Sequence, residues 1–361
     1  MKKRIHNDMV FFISLIAFVI FSPGHSLAGK NRSTQLSPEG KTISVVVVDP
    51  VDNKTLYAGT PSGLLKSTDK GINWLQINDG LSNKNITSLV INPVNTNILY
   101  CGTQGGAYKS TEGGRQWTAM NNVIPETGIP AMAIDPSNSD TIYVIARDAA
   151  LIMAIFKNQN NESIIKAMTR DCVFVSRNKG EKWTAINDFS DFESMNLKIE
   201  SISIHPVVRS KLFTGTSIGL YRSIDGGASW PPMHRRLNDR HIKKVVIDPS
   251  KRGTLYVSTA EEVFKSVDGG NSWYNINKGL PEAEIFTLII DPVDGRRLYA
   301  GTCAGAFRST DGGNSWAASG LNERHVKALV IDPYDRETLY AGTMDGVFKS
   351  TDGGSNWSKN K

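Results

Sequence analysis

The chain has 361 residues, of which 40% are hydrophobic and 21% charged, with a formal net charge of +6. Apart from 32 glycines, this is ordinary globular composition. The charge is too mild to favour nucleic acid or a membrane surface as a partner. An odd count of three cysteines argues against a fold that depends on disulfides.

The first 28 residues have the pattern of a secretory signal peptide. Three basic side chains open it, residues 10–22 are an apolar run of thirteen, and Ser26-Leu27-Ala28 places small residues before a cleavage site. An uncleaved anchor is the alternative, but the run is short for a bilayer and Ser22-Pro23-Gly24 ends it. We therefore expect a secreted or periplasmic protein with no membrane insertion after signal removal.

Seven repeats fill the rest of the chain, and each carries an octet that ends in tryptophan. The tryptophans are spaced by 43, 66, 47, 43, 43 and 41 residues, and the spacing of 66 indicates an insertion of 23. The octets contain every tryptophan of the chain: Trp74, Trp117, Trp183, Trp230, Trp273, Trp316 and Trp357.

Each repeat contains four short runs typical of β-strands. In the sixth, Ile285 to Ile290 is stopped by Asp-Pro, Leu298 to Thr302 reads LYAGT, Ala306 to Ser309 follows, and a fourth run begins at Trp316. The Ala and Gly of LYAGT indicate a crowded strand. Such a unit cannot bury both faces of its sheet alone, whereas a ring of units can.

The sequence thus predicts an all-β fold, a seven-bladed β-propeller with four-stranded antiparallel blades ordered from inner to outer. Residues 29–41 are a polar tail, for which we favour a loose segment over one that lies against the seventh blade. The predicted propeller spans residues 42–361, with approximate blades at 42–80, 86–124, 129–190, 199–237, 242–280, 285–321 and 326–361.

The octet has the form S-x-D-x-G-x-x-W, which suits a tight turn. We expect its carboxylate to accept backbone N–H groups two or three residues on, its Gly to allow positive φ, and its Trp to pin the turn. Two repeats depart, with Glu112 and Asn178, and Glu112 should fit less well. The remaining five carry Asp69, Asp225, Asp268, Asp311 and Asp352.

These octets, within the wider unit "IDP…TLYAGT…GVFKSTDGG..W", resemble the Asp-box or BNR repeat over nearly the whole chain after residue 28. The unit looks most like propellers of the photosystem II assembly-factor type, and it is also similar to xyloglucanase, sortilin and sialidase blades. The resemblance implies that the Asp-box is structural and lies away from the active face. A calcium site is disfavoured because each octet offers one fixed carboxylate.

No set of residues spells out a reaction. The Arg-Ile-Pro motif of sialidases is absent, and xyloglucanases of this repeat type pair two propellers where this chain has material for one. Glu282 and Glu284 share one inner loop, where adjacent glutamates are usually solvated. We find no pattern for a metal or cofactor and expect a protein that is not an enzyme, with glycoside hydrolase as the runner-up.

Departures from the repeat indicate where a ligand would bind. The two residues before each first strand include a cation in five of seven blades, and the connection from the fourth to the fifth blade is the most basic. An ordinary set of solvated loop charges is the alternative. The predicted rim comprises Lys41, Lys84, Lys198, Arg235, Arg236, Arg240, His241, Arg324 and His325, with Lys243 and Lys244 nearby.

The insertion in the third repeat lies between Ala146 and Val173. It reads as an extended hairpin that turns near Asn158 to Glu162, with a helix-containing flap as the alternative. Inserts commonly mark the binding face of a repeat fold, and Ile152 and Phe156 belong to its apolar surface. We expect a monomeric binding or assembly scaffold for a protein or anionic ligand, without nucleic acid; a glycan-binding protein or hydrolase is the alternative.

Overall fold

The computed structural model describes residues 38, 40–120, 124–157, 163–186, 197–233, 237 and 239–359, with the backbone alone for 149–157 and 163–170. Within these ranges the chain forms seven antiparallel sheets and no α-helix. The predicted seven-bladed propeller is confirmed. No helix in the described ranges has the length and apolarity needed to cross a membrane.

The strands of each sheet follow chain order. The first strands are β1 (Val45–Val48), β5 (Ile86–Ile91), β9 (Ala131–Asp135), β13 (Ile199–Ile204), β16 (Lys244–Ile247), β20 (Ile285–Ile290) and β24 (Val326–Ile331). The second strands are β2 (Leu56–Thr60), β6 (Leu99–Thr103), β10 (Asn138–Lys157), β14 (Leu212–Thr216), β17 (Leu255–Ser258), β21 (Leu298–Thr302) and β25 (Leu339–Thr343).

The outer half of each blade is shorter. The third strands are β3 (Gly63–Ser67), β7 (Gly106–Ser110), β11 (Ser163–Ser176), β15 (Gly219–Ser223), β18 (Val263–Ser266), β22 (Gly305–Ser309) and β26 (Gly346–Ser350). The fourth strands are β4 (Leu75–Gln76), β8 (Thr118–Ala119), β12 (Thr184–Ala185), β19 (Tyr274–Asn275), β23 (Ala317–Ala318) and β27 (Ser358–Lys359). In the fourth blade, a single bridge between Tyr221 and Pro232 takes this place.

First strands of neighbouring blades contact one another around the whole ring, including β24 against β1. The second strands are crowded against them, as the small residues of LYAGT predict. A Cβ at Gly59 would lie 2.5 Å from Val45 Cγ1 and 2.6 Å from Ile86 Cγ2 of the next blade. The hydrophobic core is therefore the set of packed surfaces between consecutive blades.

The ring closes between the seventh and first blades. The N–H of Ile43 donates to the carbonyl of Thr343 at 2.9 Å, and the N–H of Gly40 donates to Asp345 at 3.1 Å. Pro38 is buried as well. Gly40, near the end of the predicted tail, is therefore bonded to the seventh blade, which agrees with the alternative that the tail lies against that blade. Residues 29–37 and 39 lie outside the described residues.

The two sets of loops lie at opposite ends of the blades. One end carries the octet turns between the third and fourth strands, and we call it the Asp-box face after the repeat that these octets resemble. There the turn between the third and fourth strands bonds to the turn between the first and second, as the N–H of Gly113 does to the carbonyl of Asn97 in the second blade. The same bond recurs in all seven blades. At the opposite end, which we call the rim face, the turn between second and third strands bonds to the residues before the first strand, as Gln104 N–H does to Asn85.

The Asp-box turns are closed by their own side chains. In the sixth blade, Asp311 accepts hydrogen bonds from the N–H of Ser315 at 2.9 Å, its hydroxyl at 2.6 Å and the hydroxyl of Ser309 at 2.8 Å. The backbone N–H that Asp311 accepts thus lies four residues on, and the expectation of two or three residues is wrong here. Asn178 makes the equivalent bond to the N–H of Lys182. The Trp316 indole donates to Ile276 of the preceding blade, so the octet also joins blades.

The insertion extends the third blade. Strands β10 and β11 continue as an antiparallel ladder from Ala150 with Arg170 to Lys157 with Ser163, after an irregularity between Ala146 and Ala150. The predicted hairpin is confirmed in its backbone, and its turn residues 158–162 lie outside the described residues.

Candidate functional site

Those of the predicted rim cations that the structure describes lie at the rim face, but they differ in their partners. Lys84 and Lys198 are exposed and Lys41 is half-exposed. None of their side chains forms an ion pair with a carboxylate in the described ranges. Arg235 and Arg236 lie outside the described residues. Ile152 and Phe156 have described backbones in β10, paired with Met168 and Ile164, while their side chains are outside the description.

Two predicted arginines share one geometry. Arg240 pairs with Glu262 and lies over the Phe264 ring, with Cζ 5.0 Å from its centroid. Arg324 pairs with Asp345, and its Cζ is 4.9 Å from the centroid of Phe348. In each case the arginine lies just before the first strand of its blade. Its guanidinium contacts a carboxylate in the turn between the second and third strands and an aromatic ring on the third strand. Both side chains remain about two-fifths exposed.

The seven blades are alike just inside the rim and then differ at one position. Each first strand is entered by a buried aliphatic residue, Ile or Val, exposed by at most 1%. In at least four blades the next residue is the extra one in an irregular pairing with the second strand. We call these seven residues the mouth ring: Ser44, Thr87, Pro130, Glu200, Lys243, Phe286 and Lys327.

Glu200 of the mouth ring belongs to a charged network that was not predicted from the sequence. Arg147, at the base of the hairpin, donates to Asp171 at 2.6 Å and to Glu200 at 2.8 Å. Glu200 also pairs with His241 Nε2 at 3.0 Å. The network therefore joins the third, fourth and fifth blades. Comparing the residue after each entry aliphatic across repeats would have pointed to Glu200.

The pKa values of the two carboxylates in this network are shifted in opposite directions, because burial and hydrogen bonding balance differently at each. Burial of Glu200 disfavours its charge, but hydrogen bonds from His241 and Arg147 outweigh it and lower the pKa of Glu200 to about 2. Burial dominates at Asp171 and raises its pKa, although Arg147 and the N–H groups of Ile199 and Asp148 oppose the rise. Asp171 is nevertheless bonded to groups that hold the hairpin base in place.

A second cluster occupies the mouth ring of the fifth to seventh blades. Lys243 pairs with Glu284, and Lys243 and Lys327 both lie beside the Phe286 ring. The neighbouring Lys244 is buried in the blade wall and not on the rim, and burial lowers its pKa to about 7. Glu284, expected to be a solvated loop residue, thus has a cation beside it.

The carboxylates of the Asp-box turns accept hydrogen bonds from residues of the same turn. The pKa of Asp225 is lowered to about 2 by hydrogen bonds from Ser229 and Ser223, and that of Asp352 to about 2 by Asn356 and Ser350. Across the ranges described, no group of three or more His, Cys, Asp or Glu side chains is placed to hold a metal ion.

This architecture defines the class as a seven-bladed β-propeller whose blades differ at one mouth of the ring. The chain belongs to the DUF6242 beta propeller domain family, which matches residues 29–238. No curated protein sequence matches it.

Solved propellers share the fold at low sequence identity. The GH74 xyloglucanase from Xanthomonas campestris superposes with a TM-score of 0.71 at 17% identity, over 91% of this chain and 55% of that one. YCF48 bound to D1 peptide superposes with a TM-score of 0.61 at 14% identity, over 90% of this chain and 97% of that one. An extracellular domain from B. thetaiotaomicron superposes with a TM-score of 0.63 at 17% identity, over 88% of this chain and 39% of that one. The chain spans about half the length of the GH74 enzymes it matches.

Proposed function

We propose that this chain is an exported, non-catalytic binding or scaffold propeller that takes an acidic segment of a protein partner at its rim face. The observation that supports this most is the contrast within the mouth ring. Entry aliphatics are the same type in every blade because packing requires it, whereas the next position holds Ser, Thr, Pro, Glu, Phe and, in two blades, Lys. Where packing allows variety, charged and aromatic groups at a pore mouth suit recognition.

The rim cations suit an acidic partner. Lys84 and Lys198 are exposed. The guanidinium groups of Arg240 and Arg324 are each oriented by an aromatic ring that lies beneath them. Exposed ion pairs such as Arg324 with Asp345 contribute little to stability, so a partner carboxylate can share or replace the internal one at small cost. Because the guanidinium is already oriented, less side-chain entropy is lost on binding.

The structural neighbours are consistent with this proposal. YCF48, which shares the propeller fold, has been seen bound to D1 peptide, so a ring of this kind can hold a peptide. Another neighbour is an extracellular domain, which agrees with the export that residues 1–28 predict.

Charge reversal tests the proposal. The chain without residues 1–28 and its Arg240→Glu/Arg324→Glu variant are used to capture crosslinked partners from the exported fraction, with Lys54→Glu at the Asp-box face as control. We expect the double variant to lose the partner that wild type and control retain. Equal capture by all three proteins would contradict the proposal.

A carbohydrate-active role is the second candidate, favoured by the GH74 neighbours and by the closeness of Asp171 and Glu200. The two carboxylates bond to different nitrogens of one guanidinium and have pKa values shifted in opposite directions. Hydrolysis of a glycosidic bond needs such a pair free to act as acid and base. Here both are committed to Arg147, so we place this role second. Release of reducing sugar from xyloglucan, abolished by Glu200→Gln, would favour it.

A further inference from the structure

Three side chains from consecutive blades meet at the mouth ring. Lys243 of the fifth blade and Lys327 of the seventh both lie beside Phe286 of the sixth, with their Nζ atoms 5.9 Å and 5.8 Å from the ring centroid. His325 packs beside the same ring, with centroids 5.8 Å apart. Phe286 is thus a shared platform for two ammonium groups, which an aromatic face attracts weakly.

The charges around this platform do not balance. Lys243 is 6% exposed and pairs with Glu284. Lys327 has no carboxylate of the described residues within ion-pair distance, although Glu284 is near enough to favour its charge. The Lys327 side chain is half-buried, so its ammonium is held partly out of water, and this burial lowers its pKa. A half-buried cation of this kind is stabilised when an anion supplies the missing contact.

Glu284 indicates which anion fits. Its carboxylate already lies against Lys243, and half of its side chain is exposed, so it can move aside or be joined by a second carboxylate. The Phe286 ring lies within 6 Å of both ammonium groups and supplies an apolar surface beside them. A carboxylate with an adjacent apolar side chain matches both features.

We propose that Lys243, Phe286 and Lys327 form a subsite for a carboxylate group of the bound polypeptide. This inference rests on the proposed function and specifies the chemical group that the mouth ring takes. The carboxylate comes either from the end of a peptide chain or from an Asp or Glu side chain, and both sources present the same group to the two ammonium ions.

Peptide pools separate these sources. A random octapeptide pool is made in three forms: with free ends, with amidated carboxyl ends, and with Asn and Gln in place of Asp and Glu. Each pool is passed over immobilised wild type, Lys327→Met, Lys243→Met, Lys327→Arg and Lys54→Met, and retained peptides are counted by mass spectrometry. The last variant is the control at the opposite face, and thermal unfolding of every variant confirms that it is folded.

Wild type and Lys54→Met should enrich carboxylate-bearing peptides, and both methionine variants at the mouth should reduce that enrichment at least about tenfold, as loss of a charged hydrogen bond predicts. Lys327→Arg, which keeps the charge, should retain most of it. The amidated and Asn/Gln pools then show which source is bound.

Two results overturn the inference in different ways. If wild type retains peptides and Lys327→Met retains the same set equally well, the subsite is refuted while the proposed function stands. If wild type retains no peptide from any pool, both are refuted.

Discussion

The Glu200 carboxylate accepts a hydrogen bond from Nε2 of His241 at 3.0 Å and thereby joins the first strand of the fourth blade to the entry of the fifth. Arg147 of the third blade bonds the other carboxylate oxygen at 2.8 Å. One buried side chain therefore holds three consecutive blades together at the mouth of the ring.

Glu200 should make stability depend on pH. Its pKa is about 2 in the folded protein against 4.5 for an ordinary glutamate, so its stabilising contribution is complete above pH 4.5 and is lost as pH falls towards 2. We expect Glu200→Gln to lower the free energy of unfolding by about 3 kcal/mol at pH 7. The deficit should shrink steadily below pH 4.5 in denaturant titrations.

Glu262→Gln is the matched control, because that carboxylate pairs with Arg240 at a more exposed place. Glu262→Gln should lower the free energy of unfolding by less than about 1 kcal/mol. A Glu200→Gln deficit that stays constant from pH 7 to pH 2.5 would contradict the assignment.

The Asp-box carboxylates should matter for folding and not for binding. Asp311→Ala removes three hydrogen bonds from a turn. Because the carboxylate is exposed, the free energy of unfolding should fall by about 1 kcal/mol. Glu112→Ala is the control, because the described structure shows no hydrogen bond to that carboxylate and its loss should be neutral. Calorimetry measures both, and equal losses for the two variants would show that the carboxylate does not close the turn.

Ring closure should depend on Ile43. This side chain is fully buried where the first blade meets the seventh. Ile43→Ala should lower the unfolding free energy by about 2–4 kcal/mol through the cavity it leaves. Ile72→Ala, the same change at a side chain that is 62% exposed, should be close to neutral. If the two variants unfold at the same temperature, the seventh and first blades are not closed as described.

The third-blade hairpin should be separable from the propeller. Deleting residues 149–169 leaves Arg147, Asp148 and Asp171 in place and joins the strands by a short turn like those of sister blades. We expect the shortened chain to fold and to lose partner binding, as judged by thermal unfolding and crosslinked capture. Loss of folding would show that the segment belongs to the core.

The sequence predicted the fold because its determinants recur seven times. The octet tryptophans and the small residues of LYAGT are read directly from the repeat, and the structure explains them by blade contacts such as Trp316 with Ile276. The partners of the rim cations could not be predicted in this way. Arg147 pairs with Glu200 across a blade boundary, and that pairing has no periodic signal. Arg240 pairs with Glu262 within one blade, and the equivalent pair in the seventh blade is Arg324 with Asp345, so this arrangement is shared by two blades without being part of the sevenfold repeat.

The mouth ring shows the same limit. Its members occupy one equivalent position, which sequence alignment of the repeats could have found, but the irregular pairing that places them there is a property of the backbone. The contact of Lys243 and Lys327 with one phenylalanine needs three blades in their final places.

The central claim is that a protein partner binds the rim face, and site-specific photo-crosslinking tests it most directly. A photoreactive amino acid replaces Lys84 or Lys198 at the rim face, or Lys54 at the Asp-box face, in the cell that expresses the protein. The account predicts one shared crosslinked partner from both rim positions and none from position 54. A partner trapped only from position 54, or from none of the three positions, would contradict it.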